Sequence, residues 1–304
     1  MSRIVALRAL GLGDLLTAVP ALRALRRLGH VTLAAPRELA PLAALAGVEL
    51  VHARPLEPLS RELRGAHLLV NLHGRGPQSH RAALAAAPQR VVAFAHPAVP
   101  ETAGMPEWHE NEHETARWCR LLREAGIPAD ASDLHLPRPP APQPAWARGA
   151  TIVHPGAASA ARRWPPRRFA QVARAEIAAG RQVVVTGGMG ELGLAEAVAT
   201  AAGLPHQSVL AGRTTLAELA ALVAHAGRVV CGDTGVAHLA SAFGTPSVVL
   251  FGPVSPSQWG PPARPAPHRA LWAGLRGDPH AARTHEGLLL LEPEAVLAEL
   301  AALP

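Results

Sequence analysis

Twice along its length this chain runs from a short apolar segment through a glycine-containing turn into a helical pattern, and no other feature narrows its architecture as far. "RIVALRAL" reads as a strand, and after "GLG" the stretch "DLLTAVPALRALRRLG" reads as a helix with Leu15, Leu16, Val19, Leu22 and Leu25 on one face. Short apolar runs at "VTLAA", "HLLVNL" and "RVVAF" then alternate with helix-like stretches, and "NEHETARWCRLLREAG" closes this half as a long helix. Such alternation is the pattern of a parallel sheet covered on both faces.

The stretch "PRPPAPQPAWARG", residues 137 to 149, has five prolines at positions that exclude both a helix interior and a central strand. Beyond it the pattern restarts with "ATIVH", a turn, and the helix "PPRRFAQVARAEIAAG", with proline at its start and Gly180 at its end. "QVVVT", the turn "GGMG" and the helix "ELGLAEAVATAAG" follow. Thr215 and Glu218 form a capping box before another helix. "RVVCG", "VAHLASAF" and "SVVLFG" continue the alternation, and "EPEAVLAELAAL" is a last helix. The expected fold is α/β, with two Rossmann-like domains at residues 1–138 and 150–304 joined by a linker at 139–149. A ligand cleft is expected between the two, at the C-terminal ends of the strands.

None of the apolar runs approaches the roughly 20 residues that span a bilayer. The start, "MSRIVALRALGLGD", lacks the basic region, apolar stretch and cleavage site of a secretory signal, so a cytoplasmic location is expected. Cys119 and Cys231 are too few for a disulfide framework or a cysteine-ligated zinc site. The net charge of +6 comes from arginine alone, because the chain has no lysine. That absence excludes a phosphate-loop lysine, a Schiff base and a pyridoxal enzyme. The basic balance suits an anionic ligand. Nucleic acid is not expected, since the arginines are dispersed and six tryptophans and four phenylalanines are the whole aromatic stock.

"GLGDLL" begins like a dinucleotide fingerprint, but Leu16 stands where the third glycine is required. What remains is Asp14 at the mouth of a helix, either as an N-cap or as an N-cap that also serves function. "GDTGVAHLASAFGTP", residues 232–246, carries the Asp-Thr-Gly of aspartic proteases once, between a strand and an alanine-rich helix, whereas those β-rich enzymes need it twice. Thr234 and Gly235 instead place a hydroxyl and backbone N–H groups at a helix start, which is either a phosphate cradle or an ordinary cap with His238 on the helix surface. Arg162 and Arg163 precede another helix start, where they oppose the dipole; they are two solvated side chains or the partners of an external anion. "HENEH", residues 109–113, matches the zinc-peptidase pattern His-Glu-x-x-His, with His109 and His113 one helical turn apart and Glu110 as the base. Its polar flanks and the lack of a third ligand count against zinc.

Taken together, "ALGLGDLLTAVPALRALR", "VHPGAASAARRWPPRRFAQVA" and "LAGRTTLAELAALVAHAGRVVCGDTGVAHLASAFGTPSVVLFGPVSPSQWGP" resemble glycosyltransferase family 9, the heptosyltransferases, in order and spacing from about residue 3 to 262. The resemblance implies a GT-B architecture, two Rossmann-like domains facing a central cleft. The first would bind the acceptor and the second a nucleotide-diphosphate sugar, typically ADP-heptose. It implies inversion at the anomeric carbon with no metal and no cofactor. By the same resemblance Thr234 and Gly235 hold phosphate, Asp233 and His238 sit near sugar and phosphate, and Arg162 takes the place of the family's usual lysine. Arg163 is a possible further phosphate contact. Glu191 falls where the family has an acidic residue that touches the nucleoside, and Asp14 falls on its general base. Ala157 and Ala158 stand where members often carry hydroxyl residues.

Inverting transfer needs a base for the acceptor hydroxyl's proton and positive groups for the departing diphosphate. Asp14 and the group of Arg162, Thr234 and His238 would supply these. The expected function is therefore a metal-independent inverting glycosyltransferase acting on a cell-envelope or other glycan or glycolipid acceptor, with at most peripheral membrane contact. A zinc hydrolase on His109, Glu110 and His113 and a non-catalytic nucleotide-sugar-binding relative are the alternatives.

Overall fold

The computed structural model describes residues 3–140, 142–262 and 267–304. The chain folds as two compact units that divide between Leu136 and Pro137, so the proline-rich stretch groups with the second unit. Ala141 of the expected linker lies outside the described residues, as do Met1, Ser2 and residues 263–266.

In the first unit β1 (Arg3–Leu7), β2 (His30–Ala35), β3 (Glu49–His52), β4 (Leu68–Asn71) and β5 (Arg90–Val92) form a parallel sheet. Among the described residues it has five strands, in the order β3-β2-β1-β4-β5. The central β1 pairs Ile4 with Val31 on one side and with Leu68 on the other. Ile4 to Leu7 are all buried, which is why this strand reads as a continuous apolar run and not as an alternating one. The helices are α1 (Leu12–Arg26), α2 (Ala40–Leu45), α3 (Gln78–Ala85) and α4 (Glu114–Glu124). Helix α1 packs against β2 and α4. Leu15, Leu16, Val19, Leu22 and Leu25 are each at most 1% exposed, and burying side chains of this size contributes about 1.5–3 kcal/mol apiece.

The second unit is built on β6 (Thr151–His154), β7 (Val183–Val185), β8 (Arg228–Gly232), β9 (Ser247–Phe251) and β10 (His268–Trp272). Among the described residues these five parallel strands lie in the order β10-β9-β8-β6-β7. Its helices are α5 (Pro166–Ala178), α6 (Leu192–Ala202), α7 (Leu216–His225), α8 (Gly235–Phe243), α9 (Pro256–Trp259), α10 (Glu286–Leu289) and α11 (Pro293–Ala301). The capping box before α7 forms: Thr215 Oγ1 accepts from the Glu218 amide at 3.3 Å and Glu218 Oε2 accepts from the Thr215 amide at 2.7 Å. Val153, Val230, Val248 and Leu250 of the sheet pack with Phe169 and Val172 of α5 and Val198 of α6 in one buried cluster. No helix among the described residues is long and apolar enough to cross a membrane.

Each sheet has one place where adjacent strands send their connections to opposite sides: between β1 and β4 in the first unit and between β6 and β8 in the second. Beyond the carboxyl ends of such strands the chain parts and leaves a crevice, where ligands bind in open α/β sheets.

Candidate functional site

In the second unit the crevice is lined by the segments that follow β6 and β8. After β6 the chain makes a short 3-10 turn, Ala160–Arg162, before α5. This turn rests on the end of β8 so closely that a Cβ on Gly232 would stand 2.9 Å from the Arg162 carbonyl oxygen, which only glycine permits. From the other side the Ala161 amide donates to the Ala281 carbonyl at 3.1 Å, and the His285 amide donates to the Ala161 carbonyl at 3.2 Å. Arg162 is therefore carried on a braced turn.

The guanidinium Nη1 of Arg162 is 3.8 Å from Asp233 Oδ2. Its Nε is buried and has no hydrogen-bond partner among the described residues. Asp233 is 6% exposed, and burial, partly opposed by Arg162, raises its carboxyl to a pKa of about 6. The next residue, Thr234, is the N-cap of α8 with extended backbone, and its side chain makes no capping bond. The opening amides of α8, starting at Gly235, thus stand with no side-chain cap, at the end of the helix that favours negative charge. One turn on, His238 is buried with its ring edge-to-face against Trp259, at 5.9 Å between centroids.

Glu191 ends a 3-10 turn, Met189–Glu191, after β7. Its Oε2 accepts from the Gly188 amide at 2.8 Å and lies 3.9 Å from His154 Nε2. A Cβ on Gly156 would fall 2.2 Å from the Glu191 carboxyl, so the loop after β6 and this carboxylate share one space. His154 is held low in pKa by burial, against the pull of Glu191, and its Nδ1 lies 3.0 Å from the Thr186 hydroxyl. Arg163 turns back instead, its Nε donating to the Ala157 carbonyl at 2.9 Å, so it braces the loop that leads to Arg162.

The first unit gathers a different set at its own crevice. Asp14 is not the N-cap of α1: the helix opens at Leu12 with Gly11 as N-cap, which places Asp14 at the third position. There its Oδ2 accepts from the Gly11 amide at 3.2 Å, the side-chain half of a capping box. Arg8, directly after β1, is 1% exposed and bonds Asp14 twice, Nε to the backbone carbonyl at 2.9 Å and Nη2 to Oδ1 at 3.0 Å. The same Nη2 donates to Glu114 Oε1 at 3.0 Å, and Nη1 donates to the Leu72 carbonyl. The guanidinium lies over the Trp118 ring, 4.6 Å from its centroid. Glu114 also accepts from Trp118 Nε1 at 3.1 Å and pairs with Arg117. After β4, His73 has a buried Nδ1 with no hydrogen-bond partner among the described residues; burial first, then Arg8, hold its pKa at about 4.

The zinc reading of "HENEH" fails on local structure. Residues 109–113 are turn and not helix, and α4 begins only at Glu114, so His109 and His113 are not set one helical turn apart. Glu110 pairs with Arg75 at 2.6 Å, and the carbonyls of His109, Glu110 and Glu112 accept from Arg117 at 2.9, 3.3 and 3.1 Å. Among the described residues no three His, Cys, Asp or Glu side chains are grouped as metal ligands would be. The motif is a carbonyl seat for an arginine.

Arg8, Glu114, His73 and Trp259 escape a reading of motifs. For Arg8 a signal was present: an arginine directly after a strand as apolar as "IVAL" must be buried with partners or end the strand at solvent. Glu114 was hidden inside the supposed zinc helix.

Two tandem α/β units, each on a parallel sheet with polar groups collected at its switch point, define the GT-B class of fold. The chain belongs to glycosyltransferase family 9 (heptosyltransferase), whose model matches residues 99–277. Lipopolysaccharide heptosyltransferase 2 of Escherichia coli K12 is 33% identical over 149 residues, which cover 47% of this chain and 43% of that protein. The chain therefore spans less than half the length of this curated relative in the match. The fold is shared over nearly the full length with a family 9 glycosyltransferase from Veillonella parvula (TM-score 0.80, 21% identity, 99% of this chain and 96% of that one). It is shared likewise with the E. coli ADP-heptose lipopolysaccharide heptosyltransferase II (TM-score 0.78, 22% identity, 99% and 98%).

Proposed function

We propose that this chain is an inverting glycosyltransferase that moves a heptose from ADP-heptose to a glycan acceptor of the lipopolysaccharide-core type, with no metal ion. The observation that carries it is the group at the β6/β8 switch point: among the described residues, Arg162 has a buried Nε with no hydrogen-bond partner, held beside Asp233 and an α8 start that no side chain caps. Those are the requirements of a diphosphate site. The donor named for the E. coli structural relative, ADP-heptose, supplies a diphosphate of this kind.

In this reading Thr234, Gly235 and Arg162 hold the diphosphate, with Asp233 and His238 toward the sugar and Glu191 toward the ribose hydroxyls. Arg163 acts through the Ala157 carbonyl and not on phosphate. Asp14 takes the proton of the acceptor hydroxyl as its oxygen forms the new bond to the anomeric carbon. The bond from that carbon to the diphosphate breaks on the opposite face, and Arg162 and the α8 amides take up the charge that leaves. Positive charge fixed in the chain stands in for the divalent ion that other diphosphate-handling enzymes use.

Thermal-shift titration with ADP, UDP and GDP, followed by transfer from ADP-heptose to deacylated lipopolysaccharide core with and without EDTA, tests the proposal. A ligand that binds only the folded state raises apparent stability. ADP should stabilise the protein most and transfer should survive EDTA. No stabilisation by any diphosphate would overturn the donor site, and activity lost to EDTA and restored by zinc would overturn metal independence.

A further inference from the structure

We propose that Arg8 and Glu114 are positioning residues for Asp14, a fixed template that keeps the carboxylate aimed while its proton comes and goes; this rests on the reading of Asp14 as the base. Arg8 is buried, and burying a guanidinium between two carboxylates is a poor way to gain stability, because desolvation offsets much of the attraction. Its bonds are better suited to fixing geometry. Nε holds the Asp14 backbone and Nη2 its Oδ1, while the Gly11 amide holds Oδ2, so each carboxylate oxygen has its own donor. Asp14 remains 28% exposed at its side chain, which leaves lone pairs on the open side.

Arg8 does not depend on the charge of Asp14 for its own place. The Leu72 carbonyl, the Trp118 face and Glu114 hold it from three other directions. Glu114 is held in turn by Arg117 and Trp118 Nε1, and Arg117 by the carbonyls of residues 109, 110 and 112. Charges alternate along this chain from Asp14 to Arg117 and sum to zero while Asp14 is ionised. When Asp14 takes a proton, Glu114 keeps the guanidinium paired, so no rearrangement is needed during the reaction. Preorganisation of this kind is what a base on a short, fixed side chain requires.

The two partners pull in opposite senses, which gives them distinguishable signatures. The titratable and charged groups around Asp14 are Arg8 directly after β1, Glu114 and through it Arg117 from α4, and His73 from the segment after β4; the neutral Gly11 amide at the start of α1 adds a donor. Arg8→Lys keeps the charge but cannot bridge backbone, carboxylate and Glu114 together. Glu114→Gln keeps the shape and removes the negative neighbour.

The test measures ADP affinity and the pH dependence of kcat and kcat/KM, with ADP-heptose and deacylated lipopolysaccharide core, for wild type, Arg8→Lys, Glu114→Gln and Asp14→Asn. We expect ADP affinity to stay near wild type throughout. Arg8→Lys should lower kcat about 10- to 100-fold with little change in KM, the scale of a misplaced catalytic group. Its acid limb should move to higher pH, and that of Glu114→Gln to lower pH. Wild-type kcat and pH profile in both, beside an inactive Asp14→Asn, would overturn the positioning role and leave the base in place. A fully active Asp14→Asn would remove the base and this inference together. Should Arg8→Lys fail to fold, the profile of Glu114→Gln decides alone.

Discussion

Arg162 approaches Asp233 to 3.8 Å, whereas Arg8 and Asp14 are paired at 3.0 Å; with no partner for its buried Nε among the described residues, the guanidinium of Arg162 keeps hydrogen-bonding capacity in reserve. Arg162→Ala should weaken ADP binding by about 1.5–3 kcal/mol, the scale of a charge-assisted hydrogen bond. Lysine at this position should keep part of that. Calorimetric titration checks both, and unchanged affinity in the alanine variant would remove Arg162 from the site.

Asp233 should make ADP binding depend on pH. Its pKa is raised to about 6 by burial, and an anion arriving beside it favours the protonated form further, so binding takes up a proton. Affinity should therefore fall as pH rises through about 6 and upward, by up to roughly tenfold per unit of further shift. Asp233→Asn lacks the proton and should lack this part of the slope. The titration of ADP itself is common to both proteins, so the difference between their curves between pH 5 and 8 isolates Asp233.

The position of Asp14 within α1 alters what its substitutions should cost. An asparagine has a single acceptor oxygen, so it can serve the Gly11 amide or Arg8 but not both. Asp14→Asn should thus lose about 0.5–1.5 kcal/mol of stability, and Asp14→Ala about 1–3 kcal/mol because it leaves the buried Arg8 Nη2 with Glu114 and only a long, 3.4 Å contact to the Thr17 hydroxyl. Turnover should fall about 10²- to 10⁴-fold in both if Asp14 is the base. Urea unfolding beside the transfer assay separates the two effects; an alanine variant as stable as wild type would contradict the Arg8 contacts.

Gly156→Ala should damage binding more than folding. The added methyl would meet the Glu191 carboxyl at 2.2 Å, and this is the far end of a side chain that can swing away. We expect a stability loss under about 1 kcal/mol, since the nearest atoms the methyl meets all belong to the movable Glu191 side chain. Displacing Glu191 should cost ADP affinity while inorganic pyrophosphate binding stays the same. Equal loss for both ligands would show that the loop, and not Glu191, is disturbed.

The alternation of apolar runs and helices was legible in the sequence because buried parallel strands need continuous apolar residues, as in "TIV" and "RVVC". Two edge strands were not. "ELVH" of β3 is partly exposed throughout, and "HRALW" of β10 has only His268 buried, so neither carries the buried-strand pattern. In the site, the strand-turn-helix context located Thr234 and Gly235 at the start of α8, because an N-terminus is a local property. Sequence could not separate the tasks of Arg162 and Arg163, adjacent and chemically identical, since the Ala157 carbonyl that engages Arg163 is a tertiary partner. Nor could it show that "HENEH" was a turn, for the arginine that gathers its carbonyls becomes visible only once α4 is built.

The strand order of the second sheet sets a condition on how the proposed diphosphate site comes into being. Arg162 follows β6 and Thr234 follows β8, but β7 lies between them in sequence and on the outer side of β6 in space. A fragment that stops after β7 can pair two strands and still hold only half of the groups. In the proposed reading, phosphate recognition is complete only once β8 has been added to the free edge of β6. On that reading, the onset of nucleotide binding during refolding times that step of assembly.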